Sequence, residues 1–298
     1  MAVTSGVRPI TRLRRRLYVK RVNRSLAGSV FLFGILAVIG TLMVFPLILT
    51  VNNAFKPLDE LFLFPPRFFV RNPTLTNFFD LAVLMQATWI PFSRYALNTV
   101  IITGFGTVGH LIVASMAAYP LAKCDFRFKR LLFSMVVLSL MFTAAVTAVP
   151  NYMIITALGI NNTYLAIIVP ALQSSLGLYL MRQFMTQIPN SLIESARIDG
   201  ASEFKIYSSI VMPIVKPAWL TVMILMFQML WGTTGGMFLR SEQLKPLAFA
   251  LNQIIGGGIA RAGAGAAVGL LMMIVPITFF IITQSRIIET MATSGIKE

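Results

Sequence analysis

The sequence predicts an all-α membrane protein with six transmembrane helices and with both termini on the cytoplasmic side. The chain of 298 residues is 57% hydrophobic but only 12% charged, which is about half the charged share of an average soluble domain. Its apolar residues fall in charge-free runs of about 20 residues or more, the length that a helix needs to cross a bilayer core of about 30 Å. These runs lack strict alternation, and backbone polar groups in lipid need internal partners, so each run is predicted to be a helix.

The spans follow from the positions of the charge-free runs. One run, Leu131–Met181, has 51 residues and contains its own turn at residues 158–163, where Gly and Asn interrupt the helical pattern. It is therefore predicted to form two helices joined by a tight connection. The six predicted spans lie at residues 27–51, 94–120, 131–156, 164–183, 217–238 and 263–284.

The basic residues predict the orientation. With six spans, both termini lie on the same side, and 18 of the 25 Lys and Arg residues fall on that side. Positive charge is retained in cytoplasmic loops, so this side is predicted to be cytoplasmic. The predicted regions are a basic cytoplasmic tail at residues 1–26, a transmembrane domain at residues 27–284 and a cytoplasmic tail at residues 285–298. Within the domain, residues 52–93 form an extracellular loop and residues 185–216 a cytoplasmic loop.

The net charge of +15 is interpreted mainly as a topology signal. The tail is predicted to rest against anionic membrane lipids, and no nucleic acid is expected as a partner because no folded nucleic-acid-binding module accompanies it.

Several catalytic readings are disfavoured by the sequence. A literal G-x-G-x-x-G occurs at Gly104–Gly109, but inside a predicted span, where small residues favour close helix packing. No G-x-x-x-x-G-K-S/T pattern occurs, so this chain is predicted not to hydrolyse ATP. His110 is the sole histidine and Cys124 the sole cysteine, so no metal site is expected. His110 is interpreted as a buried polar contact rather than as part of a proton relay.

The cytoplasmic loop at residues 185–216 contains a helix–turn–helix pattern. Ser191-x-x-Glu194 fits a capping box for a first helix that ends at Asp199-Gly200. Ser202 is positioned to cap a second helix, which Pro213 and Pro217 are predicted to end near Val211. The spacing places one apolar face on this pair, made by Ile193, Ala196, Ala201, Phe204, Tyr207 and Ile210. Such a hairpin is either an interfacial loop held by lipid headgroups or a docking element for another protein.

At this loop the chain resembles a known family. Residues 194–201 read Glu-Ser-Ala-Arg-Ile-Asp-Gly-Ala, and a Met212-Pro213 pair follows, with the proline twelve residues after Ala201. This pattern is similar to the EAA motif of the permease subunits of bacterial ATP-binding-cassette (ABC) importers, with Ser195 and Met212 as mild departures. The position of the motif between the fourth and fifth spans also fits this family. Residues 204–217 resemble the continuation of the motif in carbohydrate-type permeases similar to the maltose permease subunit. The resemblance implies a type I ABC importer permease fold.

The resemblance also implies a mechanism and its partners. The hairpin would be a coupling helix seated on a cytoplasmic ATPase, so that ATP-driven closure moves the permease between inward-facing and outward-facing states. The implied coupling residues are Glu194, Ser195, Ala196, Asp199, Gly200, Ala201 and Pro213. Glu194 can also be explained as part of the capping box with Ser191, and Asp199 can be explained as a simple turn residue. The implied partners are a second homologous permease, two ATPase subunits that hold the ATP and Mg, an extracellular or periplasmic solute-binding protein and a sugar.

A sugar path is expected to combine hydrogen-bonding groups with aromatic faces. The candidates within or beside the predicted spans are Asn98, Asn151, Tyr152, Gln173, Gln228, Trp231 and Asn252. Each of them can also be explained as an ordinary interhelical hydrogen bond or a membrane-interface anchor. The alternative function is a secondary carrier or channel that works without an ATPase, although no span carries the Asp or Glu that ion-coupled carriers usually need. The predicted location is the bacterial cell (inner) membrane.

Overall fold

The computed structural model describes residues 26–86 and 90–294, with side chains from residue 28 to residue 284 apart from the gap. Within this described part the regular structure is helical and contains no β-strand. The predicted tail at residues 1–26 lies almost wholly outside it, as do the side chains of the tail at residues 285–298. The chain divides into two compact units, of which the first ends at Val51 and the second begins at Asn52.

Fourteen α-helices follow one another in the described residues, with a π turn at Tyr207–Val211 and short 3₁₀ turns at Glu242–Leu244 and Ile259–Arg261. The α-helices are α1 (Leu26–Phe55), α2 (Leu58–Leu61), α3 (Thr76–Gln86), α4 (Phe92–Lys123), α5 (Lys129–Ser139), α6 (Ala144–Ala157), α7 (Leu165–Leu172), α8 (Ser175–Thr186), α9 (Asn190–Ile198), α10 (Glu203–Ile206), α11 (Met212–Ile214), α12 (Lys216–Trp231), α13 (Leu247–Ile255) and α14 (Ala262–Ser294).

Four helical stretches of the described residues are long and apolar enough to cross a membrane by themselves, and two bent pairs raise the number to six. The four stretches are Gly28–Phe55, Phe92–Lys123, Leu165–Thr186 and Ile259–Gln284. They correspond to the first, second, fourth and sixth predicted spans. The prediction of a multi-span helical membrane protein is therefore confirmed, with differences in the third and fifth spans.

The third predicted span, residues 131–156, is not one straight helix. The axes of α5 and α6 meet at 112°, across residues 140–143. The N–H groups of Met141 and Phe142 bond three residues back, at 3.0 and 3.3 Å, which tightens and ends the helix. Ser139 at the end of α5 also donates to the hydroxyl of Ser175 on α8, at 2.6 Å. No Gly or Pro marks this break, so its cause lies in packing rather than in a local signal.

The fifth predicted span, residues 217–238, ends early at Trp231. Residues 232–246 then form an irregular connection instead of a further turn of helix. Gly235 and Gly236 adopt positive φ values of 77° and 43° in this connection. Because L-residues with side chains rarely adopt such angles, the two glycines let the chain turn back on itself. At its other end α12 meets the preceding helical segment, Glu203–Ile214, at 80°.

Helix α4 is the central element of the second unit. It packs most extensively against α8, α12 and α7, and its buried side chains include Ile102, Ala114 and Ala118. Glycines allow the closest approaches. A Cβ atom at Gly106 would lie 2.5 Å from Leu230 Cδ1, and one at Gly109 would lie 2.8 Å from Leu172 Cδ2. The interpretation of the G-x-G-x-x-G pattern as helix packing is confirmed at these two positions, whereas Gly104 meets no atom within 4 Å.

The predicted extracellular loop, residues 52–93, is held by three buried polar side chains. Lys56 Nζ donates to Arg67 O at 2.7 Å, and Glu60 accepts from the N–H of Arg71 at 3.0 Å. Asn77 on α3 donates to Ala54 O at 2.9 Å and to Lys56 O at 2.7 Å. These bonds satisfy buried backbone carbonyls and give the loop a fixed shape despite its prolines.

Candidate functional site

Helix α9 ends in a glycine-dependent turn. Gly200 has φ +78°, and its N–H bonds to Arg197 O at 3.0 Å, while the N–H of Ala201 bonds to Ala196 O at 3.0 Å. This pair of bonds is the Schellman arrangement that closes a helix with a left-handed residue. No atom lies within 4 Å of the position of a Gly200 Cβ, so the backbone angle rather than space requires glycine. The predicted stop at Asp199-Gly200 is confirmed.

The start of α9 differs from the prediction. The helix begins at Asn190 after Pro189, and no side chain caps it. Ser191 is therefore already inside the helix, and its carbonyl accepts a bond from Ser195 Oγ at 2.8 Å. The predicted capping box between Ser191 and Glu194 is wrong, because the cap position is Pro189, two residues before Ser191.

The second arm of the hairpin begins as predicted and ends later. Ser202 Oγ accepts from the N–H of Lys205 at 3.3 Å, which confirms the cap. The arm passes through the π turn and continues to Ile214, so Pro213 does not end it. Met212 N–H bonds five residues back to Tyr207 O. The wider π turn shifts the carbonyls that an α-helix would place against the proline ring, and so the helical path continues through Pro213.

The hairpin, defined as α9 to α11, has a buried face and an exposed face. Ile193, Ala196 and Ile206 are buried against the protein. Phe204 was expected on this apolar face but is 68% exposed, and Ile198 at the tip of α9 is 86% exposed. Apolar side chains left in the open at the end of a rigid element are typical of a surface that another molecule covers.

A cluster of polar contacts fixes the hairpin to the end of α4. Tyr119 on α4 donates to Glu203 Oε2 at 2.7 Å, and Arg197 Nε on α9 donates to Glu203 Oε1 at 2.7 Å. The Glu203 carboxylate thus joins both arms of the hairpin to α4, and it raises the pKa of Arg197 through the hydrogen bond and its charge. Ser115 and Tyr207 share a further hydrogen bond of 2.7 Å.

Lys123, the last residue of α4, completes this attachment. Its ammonium group donates to the carbonyl of Ile188 and to Asn190 Oδ1, the latter at 3.0 Å. Neither Glu203 nor Tyr119 was singled out from the sequence, because 84 positions separate them. The one available signal was the acidic residue directly after the Ser202 cap, which is also explained as a helix-start preference.

The predicted coupling residues lie on the hairpin with different exposures. Ala196 is buried and Ala201 half-buried. The exposed members of the set are Glu194, Ser195, Asp199, Gly200 and Pro213. The turn and the outer face of α9 are therefore open to solvent, while Ala196 permits close packing on the inner side. The Glu203 contacts connect the exposed tip to the end of α4.

At the opposite end of α4, Asn98 is fully buried and uses its whole amide. Its Nδ2 donates to Gln243 O at 2.9 Å and to Lys245 O at 2.8 Å, while Oδ1 accepts from the hydroxyl of Tyr164 at 2.7 Å. Beside it, Thr99 Oγ1 accepts from Leu247 N–H at 2.7 Å. Here Asn98 fixes the connection before α13 to α4.

Two pairs involving predicted substrate-path residues are in contact. Gln173 Nε2 donates to Asn151 Oδ1 at 3.3 Å, which links the break between α7 and α8 to α6. The Tyr152 hydroxyl accepts from Arg240 Nη2 at 3.1 Å. Gln173 remains exposed and Asn151 partly exposed, so amide groups of this first pair are accessible to a polar ligand.

The remaining path candidates lie on α12 and α13. Trp231 donates its indole N–H to Met272 O at 3.2 Å. That carbonyl lacks its helical donor because residue 276, four positions further, is a proline. The Trp231 ring is stacked with Phe227, with centroids 5.9 Å apart. Gln228 and Asn252 are exposed.

His110 lies midway along α4 and is buried. Its Nδ1 makes a 3.0 Å hydrogen bond with Leu172 O, at the end of α7. A Cβ atom at Gly177 would clash with His110 Nε2, so glycine is needed there for the ring to fit. The interpretation of His110 as a buried polar contact is confirmed.

The sequence is similar to those of known transport proteins. The putative ABC transporter permease protein ORF2 of Caldicellulosiruptor sp. (strain Rt8B.4) is 29% identical over 85% of this chain and 91% of its own length. The melibiose/raffinose/stachyose import permease protein MelC of Bacillus subtilis (strain 168) is 30% identical over 67% of this chain and 75% of its own. The arabinooligosaccharides transport system permease protein AraQ of the same organism is 26% identical over 86% and 91%.

The fold is also similar to that of a solved structure. The crystal structure of a bacterial ABC transporter involved in the import of the acidic polysaccharide alginate contains a chain that matches with a TM-score of 0.70. The match covers 95% of this chain and 99% of the other at 20% identity, and so it concerns the fold alone. The family model for the binding-protein-dependent transport system inner membrane component matches residues 110–291, more than half of the sequence. The chain therefore belongs to this family, the permease subunits of ABC importers.

Proposed function

We propose that this chain is one of two permease subunits in a binding-protein-dependent importer that moves a sugar or oligosaccharide into the cell across the bacterial inner membrane. The chain itself hydrolyses no ATP; two separate ATPase subunits hold the ATP and Mg, and an external solute-binding protein delivers the substrate. Both termini and the loop at residues 185–216 face the cytoplasm. The sugar class is supported by the relatives whose names state melibiose, raffinose, stachyose or arabinooligosaccharides.

The hairpin is the proposed coupling element, and its attachment to α4 is the observation that carries this proposal. Its tip presents Ile198 and Asp199 to the outside, while Glu203 ties both of its arms to Tyr119. An ATPase that moves the tip would therefore move the end of α4 with it. In this proposal Glu194, Asp199 and the turn at Gly200 contact the ATPase, and Glu203 is a positioning residue that acts through Tyr119.

The substrate path is proposed to lie where polar groups remain accessible. The side-chain amides of Asn151 and Gln173 are hydrogen-bonded to each other, and Tyr152 and Trp231 supply aromatic faces. Asn98 contributes through the position of the connection before α13, since its own amide is fully bonded.

The coupling role is tested by charge changes at the hairpin with neutral controls of the same shape. Gly200→Asp places a carboxylate on the turn, and Gly200→Asn offers the same size and tolerance of positive φ without the charge. Glu194→Lys is paired with Glu194→Gln in the same way. Reconstituted importer is expected to keep ATP hydrolysis but lose sugar uptake with the charged variants, and to retain most uptake with the neutral ones.

Unchanged uptake with both charged variants would contradict the coupling role. Uptake by this chain alone in liposomes under an ion gradient would instead support the secondary carrier or channel. Co-purification of an ATPase that is lost when residues 190–212 are deleted is the outcome that supports the importer.

A further inference from the structure

A groove of about 660 Å³ runs along the outer side of α5, next to the end of α8. We call it the α5 groove. Its lining combines charged residues at one end with apolar residues along the rest: Asp125, Lys129, Arg130, Phe133, Ser134, Val137, Leu138, Met141 and Arg182. No part of the proposed coupling or substrate path uses these residues.

The charged end of the groove is basic and has unused donors. Arg182 is held in place by its stacking on Phe133, with the guanidinium carbon 3.7 Å from the ring centroid, and by a 3.4 Å bond from Nε to Leu121 O. Its two Nη groups, and the whole guanidinium of Arg130, have no hydrogen-bond partner among the described residues. Asp125 pairs with Lys129 at 3.2 Å, so the two guanidinium groups leave the rim with a net positive charge.

The rest of the groove is a hydrocarbon wall of defined length. Val137, Leu138 and Met141 are 41%, 56% and 78% exposed. Helix α5 has 11 residues, which is about 16 Å at about 1.5 Å per residue. One leaflet of the hydrocarbon core is about 15 Å deep, half of about 30 Å. The apolar wall therefore extends from the basic rim over about the depth of a single leaflet.

We propose that the α5 groove binds one anionic phospholipid. The headgroup phosphate accepts hydrogen bonds from Arg130 and Arg182, and an acyl chain lies along Phe133, Val137 and Met141. Guanidinium groups bind phosphate oxygens with two parallel hydrogen bonds, and basic recesses beside transmembrane helices suit acidic headgroups. One lipid molecule matches both parts of the groove, because its phosphate lies beside the basic rim at headgroup depth while its acyl chain extends along the apolar wall.

The experiment measures lipid retention by the purified full-length chain with its partner subunits. Delipidated complex is titrated with phosphatidylglycerol or phosphatidylcholine, and bound lipid is counted by native mass spectrometry. Phosphatidylglycerol is expected to bind tightly, and Arg130→Gln with Arg182→Gln to weaken it by roughly thirtyfold. Arg130→Gln alone, at an exposed side chain without a protein partner, is expected to weaken it by about fivefold without affecting folding.

Arg127→Gln is the matched control, since Arg127 lies in the same basic segment but does not line the groove. A loss as large as that from Arg130→Gln would mean diffuse attraction and would overturn the proposal. Equal binding of the two lipids, or equal stabilisation by inorganic phosphate, would overturn it too. So would a crosslink from Val137→Cys to a second permease, in a Cys124→Ser background, with no lipid retained.

Discussion

The two ends of α4 each hold a long connection, but with different chemistry. Both ends carry a tyrosine that donates to a carboxylate, Tyr95 to Glu242 at 2.8 Å and Tyr119 to Glu203 at 2.7 Å. The Asn98 end adds two bonds to backbone carbonyls from an amide that is 0% exposed. At the Tyr119 end the acceptor is the carboxylate of Glu203, whose side chain is 52% exposed and is shared with Arg197. The first attachment is centred on a fully buried amide whose donors and acceptor are all used. The second is exposed enough to exchange its bonds with water.

The buried end is expected to show the largest effect on stability. Asn98→Leu would leave the Lys245 carbonyl and the Tyr164 hydroxyl without partners and the Gln243 carbonyl with only its 3.3 Å bond from Arg94 Nε, which costs about 3 kcal/mol of unfolding free energy. Thermal unfolding of the detergent-solubilised importer measures this cost. Asn252→Leu, at an exposed position, is the control and is expected to stay within about 0.5 kcal/mol. Equal effects of the two variants would remove the distinction between the ends.

The middle of α4 offers a steric test of intermediate size. Gly177→Ala would force its Cβ against the buried ring of His110, and overpacking of this kind costs about 2 kcal/mol. Gly104→Ala, where no atom lies within 4 Å, is expected to cost nothing. Adding His110→Ala to Gly177→Ala should recover part of the loss, as measured by a double-mutant cycle on thermal stability. A fully additive cycle would show that ring and glycine do not meet.

The exposed end is expected to respond in function more than in stability. Tyr119→Phe removes the donor to Glu203 Oε2 but leaves no buried group unpaired, so unfolding changes by only about 1 kcal/mol. If the hairpin is the coupling element, sugar uptake per ATP hydrolysed is expected to fall, because the hairpin loses the bond to α4 that passes through Glu203. Tyr179→Phe removes a hydroxyl that has no partner among the described residues and should leave this ratio unchanged. A fall in stability without any change in the ratio would contradict the positioning role.

Salt gives the smallest and most selective effect. The side chains of Arg197 and Glu203 are 43% and 52% exposed. Raising the ionic strength from about 0.1 M to about 1 M shortens the screening length from about 10 Å to about 3 Å and therefore weakens their attraction. Uptake per ATP should decline slightly with salt in the wild type and less in Glu203→Gln. An identical decline in both would mean that other charges are responsible.

The sequence predicted the spans and the hairpin where local chemistry decides them. Charge-free runs located the long helices, and the turn at Gly200 and the cap at Ser202 follow from backbone angles and short-range bonds. The capping box failed for a local reason as well, because Pro189 sets the start of α9 before Ser191. A proline just ahead of a predicted cap was the signal that could have corrected it.

Long-range contacts could not be predicted in this way. The break after Ser139 contains no helix-breaking residue and accompanies a contact with Ser175 in another helix. The link between Tyr119 and Glu203 joins residues far apart in the chain, and neither residue type signals it. Asn98 was chosen as a polar group inside a span, but the sequence does not reveal which carbonyls it binds.

The contact between Trp231 and Met272 has a consequence for how the chain tolerates change. Pro276 leaves the Met272 carbonyl open, and the indole N–H of Trp231 occupies it. Restoring a peptide N–H with Pro276→Ala would give that oxygen a competing donor from its own helix, and the tryptophan would be released to rotate. A substitution at Pro276 is therefore expected to change the setting of Trp231, although the two side chains lie on different helices.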